Sequence, residues 1–422
     1  MKSKGNEFRQ IAGYFAADLP LPMQFIAEFL AVDETQLIET LLAQNLLLQL
    51  PVGFILAAQP DELPPPDPKS AMAVSEAVIG RLSRAFRDHN KVQRLAAFQS
   101  LGPHIVTLIE KLEPFALDNQ WELLSLMARY LMLVGKAADA CDYFHQAIRH
   151  FPATGREGNP AFDQLRLQTA EAETACGNTK TAANLVKQVI TEQEQANGYP
   201  SPLLLVKLAH IRFQEAAYTQ AIGLYQQAIQ QEVETGNDAN LLATHWNNLG
   251  RVYLADNQAP EAIGAFSTAA ELWRNTPDSE HHINRALALK NLALAYQEQQ
   301  KFSDAQAAIE EAIQLSESAY GKDHPDIGRD ANIYASILQA QGKNEAALAQ
   351  FRRALRVDTR SFGKYHPEVG LTLNNMGVLY AEMGRLDKAR QCLEEARGIL
   401  AQCSNESHPY WQQVTENIER II

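Results

Sequence analysis

Between residues 121 and 409 the apolar positions recur at helical spacing, and small residues recur among them at fixed places. Alanine stands at Ala140, Ala182, Ala221, Ala262, Ala305, Ala347 and Ala389. Twelve residues before each of these anchors is Ala128, Ala170, Ala209, Gly250, Ala293, Ala335 or Gly377. Four residues after it is Phe144, Val186, Tyr225, Phe266, Ile309, Phe351 or Leu393. Two antiparallel helices approach closely only where one side lacks bulk, and a large side chain one turn along fills the remaining gap. The pattern therefore predicts seven helix-turn-helix units. The predicted turns carry Gly135, Gly177, Asn257, Gly342 and Gly384, residues that tolerate the left-handed conformation common at helix ends.

The triplet His324-Pro325-Asp326 returns as His366-Pro367-Glu368 and as His408-Pro409, in steps of 42 residues. Proline suits the first turn of a helix, where its missing N–H costs nothing, so these triplets predict the entry to a unit. Residues 410–422 place Trp411, Val414, Ile418 and Ile421 at helical spacing, which predicts a capping helix over the last apolar face.

This arrangement resembles the tetratricopeptide repeat over residues 121–422. The 42-residue step, with Leu373-Asn374-Asn375-Met376-Gly377 and the Gly-Lys-x-His-Pro loop, is similar to the kinesin light chain subfamily. Departures are the polar residues 166–173, and Arg212 where other units show Tyr253, Tyr296 or Tyr380. The resemblance implies an all-α, right-handed superhelical solenoid whose first helices line a concave groove. It places Asn247, Lys290, Asn332 and Asn374 at one groove position, Arg251 at a second and Arg329 at a third. Asparagines presenting both donor and acceptor there could pair with the backbone of an extended peptide, or could be solvated surface positions. Arg251 and Lys290 are expected to be exposed. Asn248, Asn291 and Asn375, one place later, face the neighbouring helix and are expected to be structural.

The first 120 residues read differently. Helices are expected over 6–17, 22–30 and 33–44, with Asp33 as N-cap and Glu34 in the first turn. Two short strands are expected over 46–50 and 53–58. Three helices and a two-stranded wing describe a winged helix. The wording from Phe15 to Pro22, Phe29 to Asp33 and Leu46 to Leu48 resembles the winged-helix segment of NB-ARC (STAND) signalling ATPases. A proline-rich stretch and helices over 71–88 and 92–112 follow, with Leu101-Gly102-Pro103-His104-Ile105 similar to the connector those proteins place before their repeats. The expected domains are a winged-helix-like domain at 1–59, a linker at 60–69, a helical connector at 70–120, seven repeats at 121–409 and a cap at 410–422.

Charge narrows the function. The chain has 422 residues and a net charge of −13. Between Arg9 and Lys69 no Lys or Arg occurs, whereas Asp18, Glu28, Asp33, Glu34 and Glu39 are among the acids there. The winged helix would offer carboxylates to phosphates, so nucleic acid is not an expected partner. No apolar window reaches the roughly 18 residues of a membrane span, and no secretory leader is expected. Cys141, Cys176, Cys392 and Cys403 form no C-x-x-C pair and are expected to be reduced thiols of a cytoplasmic protein.

The motifs of a phosphate loop, a nucleophile elbow, a zinc protease and a dinucleotide fold do not occur in the sequence. The His-Pro histidines, a helix pair apart, cannot share one ion. No catalytic residue, metal or cofactor is expected. The expectation is a non-enzymatic scaffold that binds a protein or peptide in its groove, with oligomerisation possible. The alternative is the ligand-sensing half of a STAND-type ATPase whose nucleotide-binding domain is absent from this chain.

Overall fold

Among the described residues of 7–56 the chain forms a helix and a hairpin. Helix α1 spans Glu34–Ala43, and the backbone N–H of Leu37 donates to Asp33 O at 2.9 Å. Strands β1 (Leu47–Leu50) and β2 (Gly53–Leu56) pair antiparallel, Leu47 opposite Leu56 and Leu50 opposite Gly53. The computed structural model describes residues 67–88, 104–115, 117–236, 238–275, 279–403 and 409–420, with parts of 7–56. Helices expected over 6–17 and 22–30 lie largely outside the described residues. So do residues 57–66, which include most of the expected linker, residues 89–103 of the connector and His408.

The chain divides into two units, Met1–Pro200 and Ser201–Ile422. In the first, helix α2 spans Pro68–Asp88, beginning three residues before the expected start. The Asp67 carboxylate accepts from the backbone N–H of Lys69 and of Ser70, both at 3.0 Å, so Asp67-Pro68 is a cap and first turn rather than linker. Helix α3 covers 104–112 and leads through a short 3-10 turn, Glu113–Phe115, to the first helix pair. That pair is α4 (Gln120–Leu133) and α5 (Ala137–His150); α6 (Pro160–Ala175) and α7 (Thr179–Asn197) form the next. Buried apolar residues from Phe8 to Ala172 make one continuous core, in which Phe15 meets the ring of His104 edge-on.

Two charged residues of α6 that depart from the repeat pattern are buried and paired. Arg166, 5% exposed, donates to Glu192 at 2.7 Å, and Glu173, 4% exposed, joins His145 at 2.5 Å and accepts from Asn178 at 2.7 Å. Charge pairing replaces hydrocarbon at these positions, which is why the apolar signal fades there.

The second unit consists of α8 (Pro202–Gln214), α9 (Tyr218–Thr235), α10 (Ala239–Ala255), α11 (Ala259–Arg274), α12 (Ser279–Glu298), α13 (Phe302–Tyr320), α14 (Pro325–Ala340), α15 (Asn344–Phe362), α16 (Pro367–Glu382), α17 (Leu386–Cys403) and α18 (Pro409–Glu419). Successive helices pair as the sequence predicts. All seven anchor alanines, in both units, have no exposed surface. A Cβ built on Gly250 would stand 2.7 Å from Phe266 Cδ1, and one on Gly377 would stand 2.7 Å from Leu393 Cγ. Helix pairs with glycine are thus closed more tightly than a methyl group allows.

Enlarging an anchor should force these helices apart. Ala347→Leu is expected to lower stability by about 1 to 3 kcal/mol, read as a reduced midpoint of urea unfolding. A normal midpoint would mean that Ala347 is not at the closest approach.

Five residues before every anchor the backbone is left-handed, at Gly135, Gly177, Ala216, Asn257, Gln300, Gly342 and Gly384. Ala216 and Gln300 escape sequence detection because neither is a residue that favours this conformation. Entry to the first helices is equally regular. Asn159, Asp238, His324 and His366 accept through their side chains from the backbone N–H two residues on. The two histidine rings stack on Tyr320 and Phe362 at 4.2 and 4.3 Å, so the His-Pro triplet is a capping device.

Candidate functional site on the first helices of the second unit

The first helices of the second unit's pairs are α8, α10, α12, α14 and α16, followed by α18, and from α10 onward polar side chains tie each to the next. Asn291 Nδ2 donates to Asn247 Oδ1 at 3.1 Å, and Lys290 Nζ to Asp330 Oδ1 at 2.9 Å. Asn332 Nδ2 donates to Thr372 Oγ1 at 2.8 Å, Gln339 Nε2 to Glu382 Oε2 at 2.7 Å, and Asn417 Nδ2 to Asn374 Oδ1 at 2.9 Å. Each bond spans about one repeat, so the ladder follows from the 40- to 44-residue separation of like positions on successive helices.

The ladder alters the expected roles of the site residues. Asn247 and Asn374 are 4% and 1% exposed, and their amides are engaged with Asn291 and Asn417. Asn332 is half-buried and spends its amide N–H on Thr372. Lys290 was expected to be exposed and is not: only 19% of its side chain reaches solvent, because the buried carboxylate of Asp330 draws it inward. Arg251 is exposed as expected, and Arg329 is exposed too. The Arg251 guanidinium lies 5.7 Å from the Phe213 ring, and Arg329 donates to Asp326 on its own helix at 2.7 Å. Asn291, expected to be structural, bridges side chains rather than backbone.

Behind the ladder lies a second polar layer that the sequence reading missed. Eleven residues after an anchor, on the second helix, a side chain meets one on the following first helix. Ser316 Oγ donates to Asp330 Oδ2 at 3.2 Å, and Thr372 Oγ1 donates to Asp358 Oδ2 at 3.1 Å. Acid and hydroxyl have exchanged helices between these two layers. The next layer holds Leu400 and Val414, both fully buried within one apolar cluster. Superposing the repeats by their anchors exposes the signal: polar residues at positions that elsewhere hold Trp273 with Ala288 or Leu400 with Val414.

The two acids differ in compensation. Asp330 has Lys290, whereas Asp358, 1% exposed, has one hydroxyl on Oδ2 and, among the described residues, no hydrogen-bond partner on Oδ1. Burial pushes the Asp358 carboxyl up to about 6, with the Thr372 hydrogen bond pulling the other way. Oδ1 sits where a Cβ at Gly328 would be, so glycine is required at that point of α14. Near Arg251, burial and then the charges of Arg251 and Lys207 hold the His210 imidazole below its ordinary value.

In the first unit the equivalent face is partly covered. Arg129 lies 3.7 Å over the Phe86 ring of α2, and Ser125 Oγ donates to Gln168 Oε1 at 3.3 Å. Among the described residues no three His, Cys, Asp or Glu side chains converge to hold a metal ion, and no helix is long and apolar enough to cross a membrane. The face of the second unit offers hydrogen-bonding groups and two exposed guanidiniums, held in place by their neighbours.

The tetratricopeptide repeat family model matches residues 201–275, 241–318 and 329–402. Those residues carry tetratricopeptide repeats, and the fold is that solenoid. A STAND (Signal Transduction ATPase with Numerous Domains) protein with a tetratricopeptide repeat sensor from Pyrococcus horikoshii is 10% identical, with a TM-score of 0.54 over 99% of this chain and 65% of that one. A putative kinesin light chain of nearly identical repeats from Podosopora anserina is 22% identical over 47% of this chain and 94% of that one, TM-score 0.43. BtubC (BKLC) from P. vanneervenii is 20% identical over 61% and 94%, TM-score 0.45. Among curated proteins none matches the sequence.

Proposed function

We propose that this chain is a non-enzymatic scaffold that binds an extended, acidic protein segment along the first helices of its second unit. The observation that carries the reading is the ladder of side-chain bonds from α10 to α18, which holds a polar face rigid before any ligand arrives. A preorganised face loses less side-chain entropy on binding than a mobile one. The exposed guanidiniums of Arg251 and Arg329 supply attraction to carboxylates, while Asn247, Lys290, Asn332 and Asn374 set the spacing of the face. The reading takes α4–α7 as two further repeats, seven in all, on the strength of their buried anchors and left-handed turns. It also takes residues 1–59 as a winged-helix-like domain, on the strength of α1 and the hairpin that follows it.

A random peptide library selected on the intact chain tests the reading. Peptides rich in Asp and Glu are expected, and their affinity should fall about ten- to a hundredfold in an Arg251→Glu, Arg329→Glu variant of unchanged melting temperature. Selected peptides that bind the variant equally well would remove the site from this face.

A second reading is the sensor half of a STAND-type ATPase whose motor lies outside this chain. The fold likeness to the Pyrococcus protein over nearly the whole chain favours it. It differs in placing a working contact on residues 1–59, so that deleting them would abolish a partner interaction that the double arginine variant retains.

A further inference from the structure

We propose that Cys141 and Cys176 are a peroxide-reactive dithiol, a modification site that closes to a disulfide between the first two helix pairs. Their Sγ atoms are 3.5 Å apart across 35 residues of sequence, one in the second turn of α5, the other just past the end of α6. A disulfide needs about 2.05 Å, a closure within reach of side-chain rotation.

The repeat itself does not call for sulfur at these two places. One residue after an anchor and six before the next, later units hold Ile222 with Asp256, Ile263 with Gln299, and Leu348 with Met383. Leu348 and Met383 fill the contact with apolar side chains in one cluster. The thiol pair is therefore a local addition to the fold. Its two helices are also pinned beside it. His145, one turn after Cys141, meets Glu173 at 2.5 Å, and Glu173 is three residues before Cys176. That pair keeps the sulfurs from drifting apart.

The two thiols have different exposure and so different roles. Cys176 is half-buried and reachable by a small oxidant; Cys141 is 7% exposed. Burial, then the hydrogen bond with Cys176 and the nearby Glu173 charge, pushes the Cys141 thiol up to about 12, which keeps it protonated until a partner arrives. The Cys176 thiolate attacks hydrogen peroxide, forming sulfenic acid and releasing hydroxide, which takes a proton to become water. Cys141 sulfur then attacks the sulfenic sulfur, the S–O bond breaks, and the Cys141 proton leaves with the hydroxyl as a second water. Two thiols and one peroxide give one disulfide and two waters, the two electrons passing from sulfur to oxygen. Among the described residues no third ligating side chain converges on the pair to hold a metal ion.

The full-length chain is treated with hydrogen peroxide, denatured, alkylated and mapped by mass spectrometry. The expected result is one linked peptide pair joining Cys141 to Cys176, short of two hydrogens and split by dithiothreitol, while Cys392 alkylates fully. In Cys141→Ser, Cys176 should instead be trapped as a sulfenic acid by dimedone. Full alkylation of Cys141 and Cys176 in the treated wild-type chain would overturn the proposal, and so would over-oxidation of Cys176 without a link. The wild-type result decides even if the variant fails to fold.

Discussion

Lys290→Glu is expected to destabilise the chain by roughly 2 to 4 kcal/mol. Lys290 Nζ lies 2.9 Å from Asp330 Oδ1, and Asp330 is 1% exposed. Reversing the charge removes the cation that Lys290 places on that carboxylate and sets a second carboxylate against it, leaving the Ser316 hydroxyl as its support. A fully buried pair broken in this way costs about 3 to 5 kcal/mol. The fifth of Lys290 that reaches water lets a glutamate turn outward, which lowers the figure. The measurement is urea unfolding with the slope unchanged, and Asp330→Asn in the same background should recover most of the loss by removing the repulsion. A midpoint equal to the wild type would mean that water, not Lys290, balances Asp330.

Asp358→Asn is expected to act in the opposite direction, stabilising the chain by about 1 to 3 kcal/mol at pH 8. The folded carboxyl is raised from its ordinary value of 3.8 to about 6, chiefly by burial. The folded state therefore binds a proton more readily than the unfolded state, and the wild type loses stability as pH rises from about 4 through 6. Above that window the full cost of the buried charge is present; below it the cost vanishes. An amide of the same shape carries no charge at either end and can still accept from Thr372. The stabilities of variant and wild type should converge near pH 4 and separate above pH 6, as chemical denaturation at each pH would read. A difference independent of pH would show that Asp358 does not titrate in this range. The neighbouring repeat supports the sign, since Leu400 fills the equivalent position with hydrocarbon.

The two predictions arise from one architectural feature, the contact between a second helix and the following first helix. Where that contact is apolar, as at Leu400 and Val414, it contributes only packing. Where it is polar, as at Ser316 with Asp330 and Asp358 with Thr372, it connects to the ladder through Lys290 and Asn332. The polar face and the interior behind it are thus joined in the central repeats. A change at the face reaches the core there.

The solenoid was legible in the sequence because its determinants are local and repeated. Ala305 and Phe351 sit where the pattern of small and large residues puts them, and Gly342 and Gly384 take the left-handed turns. His324 and His366 cap helices because the His-Pro spacing places a ring nitrogen over a free N–H. Ala216 and Gln300 show the limit of such reasoning: their turns are imposed by the helices on either side, not by their own preferences. The site was legible only in part, since Arg251 is exposed as expected but Lys290 is not.

By itself the sequence determined the helix pairs, their register and the entry to each first helix, all of which depend on residues within one turn or one repeat. Only the tertiary structure decided which polar residues face water and which face one another. That choice depends on side chains some 40 residues apart meeting at a few ångströms, as Asn332 meets Thr372 and Cys141 meets Cys176. No single helix carries that information, because a buried asparagine and a solvated one occupy the same position on an isolated helix and differ only in what the next helix brings against them.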